Sequence, residues 1–265
     1  MRTDWRRNAV KEKLRAGEPA YIICVRQSRT AEIVSATIAS GHDGFYIDLQ
    51  HSTMSEDDAA QMCYAARLAG SVPLVRLPGL NADIGQHMLE AGAQGIIAPD
   101  ITSAEEARQL VSICRFPPNG ERAPVAMGLE TGFQPADQSL RQEVQDATLV
   151  IAMLERETAI EAAAEIAAVP GIDALFVGSN DLTSSMGLHG QYEHPRVQQA
   201  YATAIAAAKA NGIWLFVGGI RDGSIVKRYV EAGASRFHVT GMDGQFLVSG
   251  ASTARRAFEA SFECP

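Results

Sequence analysis

The sequence has few cysteines, fewer basic than acidic residues and no long apolar run, and each shortage excludes a class of protein. Its 265 residues contain four scattered cysteines and no CxxC pair, so neither a disulfide framework nor a zinc site is expected. No stretch approaches the ~18 consecutive apolar residues of a membrane-spanning helix. A net charge of -8 argues against nucleic-acid or anionic-membrane partners and points to small molecules or copies of the chain itself.

The start of the chain gives no sign of a secretory leader. Its basic first residues are followed by Lys11-Glu-Lys rather than by an apolar run. We therefore expect a cytoplasmic protein with reduced cysteines that mostly serve packing. The cysteines are Cys24, Cys63, Cys114 and Cys264.

Eight short apolar runs rich in Val, Ile and Phe predict eight strands. They cover residues 20–25, 45–48, 72–76, 95–98, 149–154, 174–177, 213–217 and 236–240. Segments with helical periodicity lie between them, at 55–69, 81–91, 103–114, 158–168, 195–210, 222–232 and 244–260. Most of these helices end at a glycine, which readily adopts the left-handed conformation of a helix stop.

Strands that are apolar on both faces and alternate with helices build a parallel sheet. Eight such units predict a closed (β/α)8 TIM barrel, in the α/β class, as one domain over residues 1–265. An extra N-terminal helix and a C-terminal helical extension are expected around it. An open doubly wound sheet is the alternative, but no G-x-G-x-x-G follows any strand, so its nucleotide-binding signature is missing.

Two intervals between predicted strands are long enough to hold insertions. The first insertion, residues 116–135, is dense in proline and glycine, and we expect it to form a loop over a site. The second lies before the helix predicted at 195–210.

Polar residues follow most of the predicted strands, at the end where barrel enzymes build their sites. They are Asp48 to His51, Arg76, Asp100, Glu155, the run 178–181 and Asp243, with Gly218-Gly219 after the seventh strand. A buried strand gains no stability from a charged last residue. The pattern therefore indicates a site at this end of the barrel.

Glu155 and Asp181 are 26 residues apart, which is about one strand–helix unit. This spacing places both carboxylates on adjacent strand ends that face one mouth. Paired carboxylates with room for water are typical of Mg²⁺ or Mn²⁺ sites. From spacing alone, an ion pair or a helix N-cap remains an equal alternative.

Three further groups at the strand ends suit catalysis or binding. His51 is placed for proton transfer near neutral pH, or for a structural hydrogen bond. Arg76 would clamp an anion or enolate, or pair with a carboxylate such as Asp48. Successive N–H groups in residues 178–181 would hold a substrate carboxylate, or only form a turn.

At these positions the chain resembles a known family, the metal-dependent class II pyruvate aldolases typified by 4-hydroxy-2-oxoheptanedioate aldolase, within the phosphoenolpyruvate-binding barrel superfamily. The resemblance covers nearly the whole chain. Its motifs are Gly44-Phe-Tyr-Ile-Asp-Leu-Gln-His51, Pro73-Leu-Val-Arg76, Gly92-Ala-Gln-Gly-Ile-Ile-Ala-Pro99, Phe116-Pro-Pro-Asn-Gly-Glu-Arg122, Met153-Leu-Glu155, Val169-Pro-Gly-Ile-Asp-Ala-Leu-Phe-Val-Gly-Ser-Asn-Asp-Leu182 and Lys227-Arg-Tyr. Residues 122–134 are most similar to macrophomate synthase and its relatives.

This resemblance implies a metal-dependent site. Glu155 and Asp181 would hold a divalent cation, Mg²⁺ or Mn²⁺ with Co²⁺ as an alternative, and a 2-oxo acid such as pyruvate or oxaloacetate would chelate it. His51, with Asp48 close by, would be the acid/base group. Arg76 would stabilise the enolate oxygen.

The resemblance also implies how substrate and subunits are arranged. The backbone from Gly178 through Ser179 and Asn180 to Asp181 would receive the substrate carboxylate. Members of the family are generally hexamers, so we expect a homo-oligomer whose sites are completed by a neighbouring subunit.

Four positions depart from the pattern of the family. Gln50 stands where Glu is common, Met153 where many members have Gln, and Asp100 where the macrophomate synthase type has His. Arg122 is followed by Ala-Pro rather than Gly. We expect all four around the site, where such changes alter the tuning of a metal and its waters.

The predicted function is therefore a carbon–carbon lyase that cleaves or forms 4-hydroxy-2-oxo acids through a metal-bound pyruvate enolate, with an aldehyde or another acceptor as second substrate. An oxaloacetate decarboxylase or a macrophomate-synthase-like enzyme would use the same enolate. A citrate-lyase-type enzyme would need a basic cluster for CoA phosphates, which the sequence lacks. A non-catalytic barrel that binds a 2-oxo acid is a further alternative.

Overall fold

A computed structural model of the chain describes residues 7–262, which form a closed barrel of eight parallel strands. The strands are β1 (Ala20–Val25), β2 (Gly44–Asp48), β3 (Val72–Arg76), β4 (Gly95–Ala98), β5 (Leu149–Leu154), β6 (Ala174–Gly178), β7 (Trp214–Gly218) and β8 (Phe237–Met242). Neighbours in sequence are neighbours in the barrel, and β8 closes it by pairing with β1. The prediction of a (β/α)8 TIM barrel is confirmed.

Twelve helices surround or extend this barrel in the described part of the chain. They are α1 (Ala9–Arg15), α2 (Glu32–Ala39), α3 (Glu56–Ala69), α4 (Ala82–Glu90), α5 (Ala104–Cys114), α6 (Gln138–Ala147), α7 (Glu157–Glu161), α8 (Ala163–Ala167), α9 (Ser179–Ser185), α10 (Pro195–Ala210), α11 (Gly223–Ala232) and α12 (Asp243–Phe262). The expected N-terminal and C-terminal helices are α1 and α12. The helix expected at 158–168 is divided into α7 and α8, while α2, α6 and α9 were not predicted.

Alternate residues of each strand pack on opposite sides of the barrel wall. In β1, Ile22 and Cys24 belong to the cluster inside the barrel, whereas Ile23 and Val25 pack under the surrounding helices. Strands β2 to β6 are buried at every residue. Burial on both faces explains why these strands read as continuous apolar runs in the sequence.

Three phenylalanines fill the interior beneath one side of the barrel mouth. The rings of Phe216 and Phe237 stack with their centroids 4.1 Å apart. Phe176 meets each of them edge-on, at 6.1 and 6.0 Å. The floor below the ends of β6, β7 and β8 is therefore apolar and closely packed.

Helix α1 closes the opposite end of the barrel. Val10 is fully buried and Leu14 is 6% exposed, and both belong to the interior cluster. The Asn8 amide donates to the carbonyl oxygens of Gln94 and Ala147, which ties the start of the helix to β4 and α6. The helix thus acts as a plug at the N-terminal ends of the strands.

A buried group of charges fastens this plug to the barrel. The Asp173 carboxylate accepts hydrogen bonds from Lys11 Nζ at 2.7 Å, from Arg115 Nη2 at 2.6 Å and from the Val150 N–H at 2.9 Å. The two cationic side chains are 6% and 9% exposed. One carboxylate therefore compensates two nearly buried cations.

We expected residues 116–135 to form a loop over the site, and within this barrel that expectation is wrong. This segment joins α5 to α6, so it lies at the N-terminal ends of the strands, whereas sites form from the loops that follow strands. Its contacts agree with that position: Arg122 N–H bonds to the Arg115 carbonyl, and Leu129 lies against Gly92 before β4. The proline and glycine content of residues 116–135 predicted a loop, but it did not show at which end of the barrel this loop lies.

Helix α12 has no buried residue along its 20-residue length. Its exposed apolar side chains include Leu247, Val248, Phe258 and Phe262. No helix in the part of the chain that the structure describes is long and apolar enough to cross a membrane. The three cysteines within residues 7–262 are free and buried, and Cys264 lies outside the described residues.

We expect Asp173→Ala to lower the free energy of unfolding by about 3–5 kcal/mol, because it leaves the buried charges of Lys11 and Arg115 without their carboxylate. Urea unfolding followed by circular dichroism measures this change. Asp146→Asn is the control and should stay close to the parent, because within residues 7–262 this exposed carboxylate on α6 accepts a hydrogen bond from Gln142 alone. Equal stability of the two variants would refute the plug interaction.

Candidate active site

A cavity of about 420 Å³ opens at the C-terminal ends of the strands. Its wall is built from the ends of every strand except β4. The lining residues include Cys24, Arg26, Tyr46, His51, Arg76, Met153, Gly178 to Asp181, Gly218 to Arg221 and Met242. Most residues predicted from the strand ends therefore meet in one place.

Asp48, the last residue of β2, is the most heavily bonded carboxylate of the mouth. Arg76 Nε donates to its Oδ1 at 2.9 Å, and Arg76 Nη2 donates to Oδ2 at 2.6 Å. Arg26 Nε also donates to Oδ2. Burial alone would raise the pKa of Asp48, but the bonds and charges of these two arginines outweigh burial and hold that pKa below its usual value.

Asp48 also shapes the loop that carries His51. Its Oδ1 accepts the main-chain N–H groups of Gln50 at 3.1 Å and of His51 at 3.2 Å. Asp48 thus holds the backbone of His51 and not its imidazole ring. The exposed imidazole lines the cavity and has no hydrogen bond to another residue within 7–262.

Arg76, at the end of β3, is 3% exposed and has one nitrogen that Asp48 does not use. This atom, Nη1, lies 3.6 Å from the Met153 sulfur and 4.0 Å from Glu155 Oε1. The guanidinium therefore links the anchored Asp48 on one side to Glu155 on the other.

Glu155 follows β5 and is 2% exposed. Its Oε2 accepts the Asp100 N–H at 3.0 Å, while its Oε1 is buried without a hydrogen-bond partner in the described residues. Burial raises the pKa of Glu155 to about 7, and the charges of Asp181 and Asp100 act in the same direction. The Asp100 N–H and the Arg76 charge oppose this rise.

A backbone turn aims the Asp100 N–H at Glu155. Asp100 has φ 54°, in the left-handed region that few residues other than glycine adopt. Its carboxylate points away from Glu155 to Arg156 Nε, at 3.0 Å. Asp100 therefore contacts Glu155 through its main chain.

The run 178–181 joins β6 to α9. Ser179 Oγ is engaged with the Gly218 carbonyl and the Tyr201 hydroxyl, both at 2.5 Å. Asn180 Oδ1 accepts from the Tyr192 hydroxyl at 2.6 Å. The side chains of Ser179 and Asn180 are thus occupied, while the first N–H groups of a helix have no partner within it.

Gly178 provides the room that Glu155 needs. A Cβ at this position would lie 2.7 Å from both Cγ and Oε1 of Glu155, which is shorter than side-chain contacts allow. The absence of a side chain at 178 therefore lets β6 pass beside the carboxylate.

The other predicted residues divide between the site and the far end of the barrel. Gln50 and Met153 lie at the mouth, and Gln50 Oε1 is buried without a hydrogen-bond partner in the described chain. Arg122 does not join them. Its side chain is buried at the N-terminal end, paired with Glu130 and stacked 4.6 Å from the Phe116 ring.

The sequence interpretation missed two arginines of the cavity wall. Arg26 follows β1 directly, and Arg221 stands three residues after β7. A signal existed for Arg26, because it ends an apolar run in the same way as Arg76 does. Cys24 also lines the wall, but burial raises its pKa to about 11, so its thiol stays protonated near neutral pH.

Glu155 and Asp181 fit a hard divalent cation. Glu155 offers an oxygen without a hydrogen-bond partner in the described residues, directly behind Gly178 of the cavity wall, and Asp181 lines that cavity. Mg²⁺ is usually held by one or two carboxylates and keeps several waters. Residues 7–262 contain no group of three or more His, Cys, Asp or Glu suited to an ion.

Known proteins resemble this chain in both sequence and structure. It is 33% identical over 266 residues to the 4-hydroxy-2-oxo-heptane-1,7-dioate aldolase of Salmonella arizonae, covering 96% of this chain and 95% of that one. The HpcH/HpaI aldolase of Desulfitobacterium hafniense DCB-2 superposes with a TM-score of 0.88 at 30% identity, over 97% of each chain. Macrophomate synthase, at 23% identity, a TM-score of 0.78 and coverage of 97% and 90%, shares the fold.

The sequence profile of the family described as HpcH/HpaI aldolase/citrate lyase matches residues 22–250. This range runs from β1 into α12 and includes every strand-end residue discussed above. The chain therefore belongs to the HpcH/HpaI aldolase/citrate lyase family.

Proposed function

We propose that the chain is a metal-dependent aldolase that cleaves and forms 4-hydroxy-2-oxo acids through the enolate of pyruvate. The observation that carries this proposal is the unpartnered Glu155 Oε1, which is buried beside Gly178 and Arg76 of the cavity wall. Asp181 and His51 line the same cavity. Relatives named as aldolases of 2-oxo acids support the same reaction class.

Glu155 and Asp181 would hold the cation, with Mg²⁺ or Mn²⁺ suited to their oxygens. When bound, the cation supplies a Lewis acid that draws electron density from the 2-oxo group of the substrate. The first N–H groups of α9, in residues 179–181, would orient the substrate carboxylate.

Arg76 would stabilise the charge that develops during cleavage. Two of its nitrogens are held by Asp48, so the guanidinium is fixed before substrate arrives. Its third nitrogen, Nη1, is available to donate to the oxygen that becomes negative in the enolate. Fixed donors of this kind favour the transition state because they need no reorganisation.

His51 would move the protons of the reaction. In cleavage, the imidazole takes the proton of the 4-hydroxyl as the C3–C4 bond breaks, and the electron pair of that bond remains on C3. The carbonyl product leaves, and C3 then receives a proton from His51 directly or through a water. Aldol addition runs these steps in reverse.

We further propose that the protein works as a homo-oligomer, with a hexamer as the expected form. The exposed apolar residues of α12, such as Leu247 and Phe258, support association because large apolar patches mark interaction surfaces. The cytoplasmic location stays a prediction from the sequence.

The reaction is tested by incubating the protein with pyruvate in D₂O and following the methyl signal by NMR. We expect Mg²⁺ or Mn²⁺ to start the exchange of methyl protons for deuterium, because enolate formation needs no acceptor. EDTA should stop it. Absence of exchange with either cation, or full exchange in EDTA, would overturn the proposal.

Glu155→Gln should change how stability depends on pH. The folded protein raises the pKa of Glu155 from 4.5 to about 7, so its protonated form favours folding. Without metal, protonated Glu155 should contribute fully to the free energy of unfolding of the parent below about pH 4.5. The parent should lose this contribution as the pH rises through about 7. The variant has no carboxyl group at this position and should not show this loss. Scanning calorimetry across this range measures the difference in Tm.

The same two proteins test the cation. At about pH 8, Mn²⁺ should raise the Tm of the parent by a few degrees and leave Glu155→Gln unchanged, because a ligating carboxylate must be ionised. An equal rise in both proteins would argue against Glu155 as a ligand.

Gly178→Ala should weaken cation binding about 10- to 100-fold, because the added Cβ displaces the Glu155 carboxylate. Calorimetric titration with Mn²⁺ measures the affinity. Gly250→Ala, on α12 with no atom within 4 Å of the new Cβ, is the matched control and should bind as the parent does. Unchanged affinity in Gly178→Ala would contradict the assigned position of the cation.

A further inference from the structure

The two carboxylates of the site differ in how their side chains are held. Glu155 is 2% exposed and accepts the Asp100 N–H. Asp181 is exposed, and its carboxylate makes no hydrogen bond or ion pair with another residue between 7 and 262. The position of the Asp181 carboxylate therefore depends on its backbone, which belongs to the turn of residues 178–181 between β6 and α9.

A buried hydroxyl group holds the first residue of this turn that belongs to α9. Ser179 Oγ lies 2.5 Å from the Gly218 carbonyl oxygen and 2.5 Å from the Tyr201 hydroxyl. A carbonyl oxygen can only accept, and a serine hydroxyl has one proton. Ser179 therefore donates to Gly218, and Tyr201 donates to Ser179. Burial raises the pKa of Tyr201, so its hydroxyl stays neutral and able to donate.

A second tyrosine holds the next residue of the turn. The Tyr192 hydroxyl donates to Asn180 Oδ1 at 2.6 Å. Tyr192 lies between α9 and α10, in the second insertion that the sequence analysis identified. Its own carbonyl oxygen accepts from the Tyr229 hydroxyl of α11 at 2.8 Å. Two consecutive residues of the turn are thus each bonded to a tyrosine hydroxyl.

The tyrosines behind the turn are also in contact with each other. The rings of Tyr201 and Tyr229 stack with their centroids 3.8 Å apart and their planes 23° apart. Tyr229 holds Tyr192, which in turn holds Asn180. Because residues 179 and 180 are bonded in the chain, these contacts form a closed ring. We call Tyr192, Tyr201 and Tyr229 the tyrosine bracket.

The end of β7 supports the turn from the opposite side. Gly218 accepts from Ser179, and Gly219 has φ 80°. A Cβ at Gly219 would lie 3.2 Å from Asn180 Nδ2 and 3.3 Å from the Asn180 main-chain nitrogen. The turn is therefore closely packed between the end of β7 and the tyrosine bracket.

The tyrosine bracket does not form part of the cavity wall. Ser179, Asn180 and Asp181 line the cavity, whereas the three tyrosines stand behind them. The tyrosines therefore act on the site through the main chain of the turn. Groups that orient a metal ligand in this indirect way influence metal affinity as well as the ligand does.

We propose that the tyrosine bracket positions Asp181 for the divalent cation, so that the hydroxyls of Tyr192 and Tyr201 set the affinity of the site for the metal. This inference rests on the proposed function, in which Asp181 is a ligand. It assigns a positioning role to three residues of α10, α11 and the loop before α10.

Tyr192→Phe is the decisive variant, because it keeps the ring and removes only the hydroxyl. We expect the Kd for Mn²⁺, measured by calorimetric titration, to rise about 3- to 10-fold, as the loss of one neutral hydrogen bond predicts. Tyr64→Phe is the matched control and should bind as the parent does. Its hydroxyl, on an exposed side chain of α3, makes no hydrogen bond with another residue of the described range.

Tyr201→Phe tests the contact with Ser179. The variant keeps the stack with Tyr229 and removes the hydroxyl that donates to Ser179, so its Kd for Mn²⁺ should also rise. Tyr201 is fully buried, whereas Tyr192 is half-buried. If Tyr201→Phe does not fold, Tyr192→Phe alone decides the outcome.

The exchange of pyruvate methyl protons in D₂O distinguishes positioning from a loss of stability. In Tyr192→Phe, the Mn²⁺ concentration that gives half the maximal rate should rise by the same factor as the Kd. The rate at saturating Mn²⁺ should stay close to the parent's, because the hydroxyl touches no reacting atom. A lower maximal rate with an unchanged need for Mn²⁺ would show a purely structural role and overturn the inference.

The parent protein separates this inference from the proposed function. If the parent binds Mn²⁺ and exchanges the methyl protons, but Tyr192→Phe binds Mn²⁺ as tightly as the parent, the bracket has no positioning role and the aldolase function stands. A parent without metal-dependent exchange overturns the aldolase function and this inference with it.

Discussion

The mouth of the barrel depends on one carboxylate that is wholly withdrawn from water. Asp48 is 0% exposed, and a buried charge of this kind is costly unless it is fully paired. Arg76, Arg26 and the N–H groups of Gln50 and His51 provide that pairing. These partners lie at or just after the ends of β1, β2 and β3. The buried charge of Asp48 therefore also sets the relative positions of three strand ends and of the loop that carries His51.

Much of the fold could be predicted because its strands are buried on both faces. Strands β1 to β7 each place buried apolar residues both inside the barrel and under the surrounding helices. The apolar runs at 20–25, 72–76, 95–98 and 149–154 coincide with observed strands. Composition is less informative about the connections. The proline- and glycine-rich segment 116–135 is a loop, but only the direction of the chain through α5 shows that it lies away from the mouth. The sequence also does not predict the break between α7 and α8 at Ala162, because the alanines on both sides of it favour helix.

Site residues could be predicted where a charged side chain interrupts an otherwise apolar, buried strand. A charged residue at the end of a buried strand has no packing role, and this anomaly pointed to Asp48, Arg76 and Glu155. Arg221 lies three residues after the end of β7, in a loop. Charged residues are common in loops, so no sequence pattern distinguished it. Arg122 was misplaced for the opposite reason, since the sequence gives no sign that a charged residue in a loop is buried beside Glu130.

The left-handed backbone at Asp100 has a consequence for how this position can vary. Asp100 contacts Glu155 through its N–H, so this contact requires the left-handed backbone conformation and not the Asp100 carboxylate. Aspartate, asparagine and histidine are the side chains that enter this conformation most readily after glycine. Histidine or asparagine at position 100 would therefore preserve the turn as aspartate does. Substitution within this small set changes the side chain at the rim of the site and keeps the N–H that supports Glu155.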